Sequence, residues 1–202
     1  MNWFYKFAVI IVKPLFHLIF NLKIYGRENI PKTGGFTVVC NHRGYSDPVF
    51  LALSMKPQVI FMGKEELFKI PVAGTLFKWL GGFPVARGKG DMTAINYAIQ
   101  TVKDGKALSV FPEGTRSKDG QLLKFKSGAA LITAKSGGDV LPACVYYKGG
   151  LSFRKKVIIK FGKIIPNSDF KMDEIINSTQ LKEASLKMRT EISSLLEDAK
   201  CL

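Results

Sequence analysis

Cysteine is scarce: Cys40, Cys144 and Cys201 are the three in a chain of 202 residues. Their odd number, wide spacing and lack of any CxxC pair speak against a disulfide framework and a structural zinc site, and fit a reducing cytosol. Acidic residues are also few. Asp and Glu total 16 against 30 Lys and Arg, a formal net charge of +14. An anionic partner is expected from that imbalance, whether nucleic acid, an anionic bilayer or a phosphorylated substrate. Nucleic acid is the least supported of these. The basic residues do not gather into one dense tract, and helix-turn-helix, zinc-finger and RNA-binding-sheet signatures are missing. The lack of a self-similar period excludes a repeat array, and a 47% hydrophobic content excludes a disordered tail. No apolar run reaches the ~18 uninterrupted residues of a spanning helix. What remains is one globular domain, which at this length buries roughly 70% of the surface of its unfolded chain and needs no disulfide staples.

Residues 1–22, MNWFYKFAVIIVKPLFHLIFNL, are the most apolar segment, interrupted by Lys6, Lys13, His17 and Pro14. At about 100° per residue, Asn2, Lys6, Lys13 and His17 fall within an arc of roughly 60°, with Trp3, Phe4, Phe7, Val9, Ile11, Phe16, Ile19 and Phe20 around the rest. This pattern describes a helix lying in a bilayer interface, with Pro14 kinking it or opening a second short helix. A buried core helix and a signal peptide compete with that reading; the latter lacks a small-residue cleavage site. Dense aromatics, flanking lysines and overall basicity favour a monotopic membrane segment over residues 1–24, followed by one α/β domain over 25–202.

After a polar, Gly- and Pro-containing linker over 23–35, residues 36–40 read as a buried strand ending at Asn41. Asp47 and Pro48 suit the N-cap and first position of a helix. Strands over 58–62, 83–86, 107–111, 140–147 and 156–161 alternate with helices over 64–68, 72–80, 91–104 with Asp91 as cap, 128–135 and 179–196. The last helix places Leu181, Ala184, Met188, Ile192, Leu195 and Leu196 on one face, as a docked helix does. The alternation predicts an α/β fold with a mostly parallel central sheet flanked by helices.

In such sheets, reactive groups gather on loops leaving the carboxyl ends of strands. Two polar loops hold that place: Asn41-His42-Arg43-Gly44-Tyr45-Ser46-Asp47 and Pro112-Glu113-Gly114-Thr115-Arg116-Ser117. With His42 on a tight loop before a helix begun by Asp47, the carboxylate reaches one ring nitrogen and fixes the tautomer, leaving the other nitrogen to accept a proton. That is a triad without its nucleophile, a part that a substrate hydroxyl can fill. A plain N-cap beside a loop histidine accounts for the same spacing, and Cys40 or Ser46 are alternative nucleophiles. Arg116 offers a planar fork for a phosphate or carboxylate, with Glu113 holding that fork or binding a substrate hydroxyl; a surface ion pair of the two is the plainer reading. Arg87, set among glycines before a helix start, makes a third anion site or a solvated turn. Lys64, Lys124 and Lys126 are further basic candidates.

Four blocks in order resemble those of the 1-acyl-sn-glycerol-3-phosphate acyltransferases, the lysophosphatidic acid acyltransferase family. They are Asn41-His42-Arg43-Gly44-Tyr45-Ser46-Asp47, Gly82-Phe83-Pro84-Val85-Ala86-Arg87, Phe111-Pro112-Glu113-Gly114-Thr115-Arg116-Ser117 and Val140-Leu141-Pro142-Ala143. The resemblance implies transfer of a fatty acyl group from acyl-CoA or acyl carrier protein to the sn-2 hydroxyl of lysophosphatidic acid, giving phosphatidic acid in phospholipid biosynthesis. It implies no metal or organic cofactor, no nucleic-acid partner, and a peripheral or monotopic place on an anionic surface at the cytoplasmic face of the cell membrane. By the same resemblance His42 is the general base and Asp47 its orienting partner. Arg87, Glu113, Gly114 and Arg116 surround the glycerol-phosphate head, and Pro142 shapes the acyl-donor side. Members of the wider superfamily that use another acceptor, such as glycerol-3-phosphate or another lysophospholipid, share the His–Asp loop. The chain is short for the family, so a reduced N-terminal membrane element is expected, and Tyr45 is expected to tune substrate fit.

Overall fold

The short β-branched and aromatic runs of the chain pair into one sheet in a computed structural model, which describes residues 3–86, 91–173 and 175–202. Among those residues the strands are β1 (Asn21–Tyr25), β2 (Phe36–Cys40), β3 (Val59–Lys64), β4 (Gly82–Val85), β5 (Ala107–Val110), β6 (Asp139–Tyr146) and β7 (Lys156–Phe161). Their order is β1-β7-β6-β2-β5-β3-β4, with β6 and β7 antiparallel and every other neighbouring pair parallel. The helices are α1 (Trp3–Ile19), α2 (Asp47–Ser54), α3 (Glu65–Phe68), α4 (Ala73–Trp79), α5 (Met92–Lys103), α6 (Gly128–Ser136) and α7 (Ser178–Lys200).

Central strands buried on both faces divide the interior into two cores, because successive side chains on a strand point opposite ways. Val39, Leu108, Val140 and Cys144 face Ala98, Ile132, Met188 and Ile192 of α5, α6 and α7. Val38, Cys40, Ala143 and Val145 face Phe50 and Leu51 of α2, with Phe16 of α1 and Phe20 beyond them. Cap chemistry behaves as expected at Asp91, whose carboxylate accepts the Ala94 N–H at 3.1 Å. At α7 a reciprocal box of Asn177 and Gln180 starts the helix, and the helix continues to Lys200.

Three expectations are corrected. Part of the expected linker is strand: β1 pairs in parallel with β7, from Asn21 opposite Lys156 to Tyr25 opposite Lys160. Leu22 and Ile24 pack inward while Lys23 and Tyr25 are exposed, an alternation too short to stand out beside charged neighbours. This strand also runs across residues 24 and 25, where the sequence suggested a change of segment. Pro14 does not open a second short helix, since α1 is continuous from Trp3 to Ile19. Its ring is on the exposed side of the helix. Finally, Ser46 holds the cap position of α2 and Asp47 is the first helical residue, because the Asp47 carboxylate is turned to the loop before it.

Candidate active site

Where β2 ends, Asn41 continues the pairing with its side chain: Nδ2 donates to the Val145 carbonyl at 3.0 Å and Oδ1 accepts the Val145 N–H at 2.9 Å. This amide pins the start of the loop to β6. The chain then turns, and the Asp47 N–H closes on the Gly44 carbonyl at 3.3 Å. That turn brings Asp47 Oδ2 to 2.8 Å from His42 Nδ1. The same oxygen accepts the N–H groups of Arg43 at 2.6 Å and Gly44 at 2.8 Å. A carboxylate accepts, so Nδ1 carries the hydrogen and Nε2 is left with its lone pair. Asp47 is fully buried and His42 nearly so, with the imidazole stacked on Phe111 at a centroid distance of 4.3 Å.

The second loop is laced to the first through His42 itself. Glu113 Oε1 accepts the His42 N–H at 2.6 Å and Oε2 accepts the Leu123 N–H at 2.8 Å, while Ser117 donates its N–H to the His42 carbonyl at 2.8 Å. Burial pushes the Glu113 carboxyl up, against the pull of those two N–H donors. Glu113 is therefore a brace between loops rather than a partner for the guanidinium, and among the described residues no Glu113–Arg116 ion pair forms. Arg116 instead lies over the ring of Tyr45, 3.7 Å from its centroid. Gly114 has φ +68, a backbone conformation that favours glycine, and it lies against the end of the Lys126 side chain.

His42, Tyr45, Phe111 and Arg116 line a cavity of about 640 Å³. Most of its wall is apolar: Tyr5, Val9, Val12 and Phe16 from α1, Leu53 from α2, Phe61 and Met62 from β3, and Leu67, Phe68 and Phe77 from α3 and α4. Lys64 also lines it. This volume lies within the range of ligand-binding clefts, about 300–1,000 Å³.

The other candidates separate. Cys40 is fully buried, and burial, with Asp47 next, holds its thiol well above the ordinary range, so it is no nucleophile. Ser46 occupies the helix cap and is not among the cavity's lining residues. Arg87 lies outside the described residues; Asp91 joins the flanks of its segment by accepting the Ala86 N–H at 2.9 Å as well as that of Ala94. Pro142 is not among the residues that line the cavity. It is buried in β6, where the alternation turns it towards α7 and away from the cavity, and a Cβ at Gly162 would meet both its Cγ and the Leu195 side chain. Asn41 and Arg43 are positioning residues that composition did not single out. The Arg43 guanidinium sits 4.1 Å from the Tyr147 ring centroid and donates to the Tyr147 carbonyl, tying the loop to the end of β6.

A family model described as Acyltransferase matches residues 21–146, which spans both loops and all the strands between them. The chain belongs to the acyltransferase family. This acyltransferase is 31% identical over 172 residues to the 1-acyl-sn-glycerol-3-phosphate acyltransferase of Bacillus subtilis, covering 82% of this chain and 84% of that protein. It is 32% identical over 199 residues to the enzyme of the same name from Streptococcus pneumoniae, covering 95% and 72%. The crystal structure of the 1-acyl-sn-glycerophosphate acyltransferase from Thermotoga maritima superposes with a TM-score of 0.71 at 28% identity, covering 95% of this chain and 80% of that one. The α/β sheet with flanking helices is thus shared by this acyltransferase and a solved relative.

Proposed function

We propose that this acyltransferase moves a fatty acyl group from a thioester, acyl-CoA or acyl carrier protein, to the sn-2 hydroxyl of 1-acyl-sn-glycerol-3-phosphate, releasing the thiol and phosphatidic acid. The observation that carries the reading is a histidine oriented by a buried carboxylate at 2.8 Å on the rim of an apolar cavity. His42 Nε2 takes the hydroxyl proton as the oxygen attacks the thioester carbonyl. Collapse of the tetrahedral adduct breaks the C–S bond, and the imidazolium returns the proton to the leaving sulfur. Asp47 holds the tautomer and offsets the transient positive charge. Arg116, steadied on Tyr45, and Arg87 supply cations for the acceptor phosphate, while Glu113 and Gly114 shape the loop that carries Arg116. The acyl chain occupies the apolar cavity. The outer side of α1 carries Trp3, Phe7, Ile10, Ile11, Leu15 and Leu18 exposed, beside Lys6, Lys13 and His17, which supports a monotopic seat on the anionic cytoplasmic membrane face. Among the described residues no helix is long and apolar enough to cross a membrane.

Turnover by purified protein, with acyl-CoA and acyl carrier protein donors offered against lysophosphatidic acid, glycerol-3-phosphate and a second lysophospholipid, tests the reaction. Lysophosphatidic acid is expected to be acylated fastest, and His42→Ala to lower that rate by about 10³-fold or more with the fold intact. A faster reaction with another acceptor would reassign the substrate, and near-normal turnover by the variant would remove His42 from the chemistry.

A further inference from the structure

One wall of the acyl cavity has an outer side that its packing does not explain. The hairpin of α3 and α4 turns Phe68 and Phe77 inward to line the cavity. On its outside Val72 is 84% exposed and Trp79 56%, with Leu76 also exposed. The tip itself is unusual for a surface turn. Val72 has φ 64 and ψ −56, and the Ala73 N–H donates to the Pro71 carbonyl at 2.7 Å, which is a γ-turn of the strained positive-φ type. A β-branched apolar residue at positive φ is an outlier, in a conformation that glycine alone enters freely.

The patch is not isolated. Trp79 meets Phe4 edge-on at 5.1 Å, and Phe4 meets Trp3 at 6.0 Å, so the hairpin's apolar outside joins the outer face of α1. Lys6 and Lys13 on α1 and Lys78 on α4 are exposed around this joined surface, on a chain of net charge +14. Aromatics and lysines bordering a wide apolar face suit the interface of an anionic bilayer. A water-filled surroundings would leave that face uncovered.

We propose that the α3–α4 hairpin is a second membrane-seated element, immersed beside α1 in an anionic phospholipid surface, so that the cavity between them opens sideways into the lipid. An acyl chain then slides from bilayer to cavity without crossing water. This inference rests on the reading of the protein as a lipid acyltransferase at a membrane face.

The chain has two tryptophans, Trp3 on α1 and Trp79 on the hairpin, which makes the test direct. Full-length Trp3→Phe and Trp79→Phe proteins are mixed with phosphatidylglycerol–phosphatidylcholine vesicles carrying brominated acyl chains, and fluorescence is read against unbrominated vesicles. Quenching and a blue shift of Trp79 in the Trp3→Phe protein are expected. If Trp3 is quenched and Trp79 is not, α1 alone holds the membrane and the hairpin proposal fails while the membrane reading stands. If neither is quenched, both fall. A Trp79 shift that follows protein concentration without lipid would assign the patch to a second copy instead. Val72→Asp, with its melting temperature read beside that of the unaltered protein, supplies an independent check, because it puts a charge on the tip and Val72 does not line the cavity. It is expected to weaken vesicle binding about tenfold, with unchanged turnover of a short-chain monomeric acceptor. Unchanged vesicle binding would overturn the proposal.

Discussion

Asp47 Oδ2 gathers the imidazole N–H and two backbone N–H groups, while its buried Oδ1 makes no hydrogen bond among the described residues. The polar contact to the imidazole and the N–H groups of the turn therefore converge on one oxygen. Asp47→Asn can keep that oxygen in place and still remove the charge that stabilises the imidazolium. Steady-state kinetics with a circular-dichroism melt should show kcat lowered by about 10³–10⁴-fold, with KM and melting temperature little changed. A loss below about tenfold would reduce Asp47 to a residue that only shapes the turn. The His42–Asp47 pair was readable from spacing because turn and helix start are local. Asn41 and Glu113 were not, since their partners Val145, His42 and Leu123 are brought near by strand order and loop packing. At Pro142 the motif position could be read from the sequence and the face of the strand it occupies could not.

At the scale of elements, α1 shows why a helix apolar on most sides is hard to place from periodicity alone. Its inner face, Tyr5, Ala8, Val9, Val12 and Phe16, walls the cavity, and Phe16 also packs on Phe50 at 5.7 Å. The lysine stripe borders a second apolar face that is exposed, so the core-helix reading accounts for one side of α1 and leaves the other to the proposed membrane seat. Deleting the segment would confuse the two roles, and substitutions can separate them. Ile10→Asp with Leu18→Asp should move the protein from membrane to soluble fraction in a flotation assay, with the melting temperature nearly unchanged. Phe16→Ala should do the reverse, lowering the melting temperature by roughly 2–4 °C per kcal/mol lost while membrane binding persists. Strands β2 and β5, with β6 between them and β7, were legible because central strands of such sheets are unbroken apolar runs. β1 was missed because it is a short edge strand whose alternation is interrupted by charge.

Across the whole molecule the sheet divides stability from chemistry. The face beneath α5, α6 and α7 holds Met188, fully buried, and none of the residues that line the cavity belong to those helices. The face beneath α1 and α2 holds Phe50, also fully buried, whose ring supports Phe16 and Phe20 at 5.7 and 5.3 Å. Truncating either residue opens a core cavity, and Met188→Ala and Phe50→Ala should cost similar amounts, about 2–5 and 3–5 kcal/mol, in urea unfolding. Their catalytic consequences should differ. Met188→Ala leaves the loops and α1 in place, so its folded fraction should turn over at the normal rate. Phe50→Ala releases the rings that seat α1 on the cavity and lies on the helix that Asp47 begins, so kcat should fall about tenfold or more even where the protein is fully folded. Equal loss of kcat in both variants would mean that the two cores act as one unit, and that the sheet does not insulate the site from the α7 side.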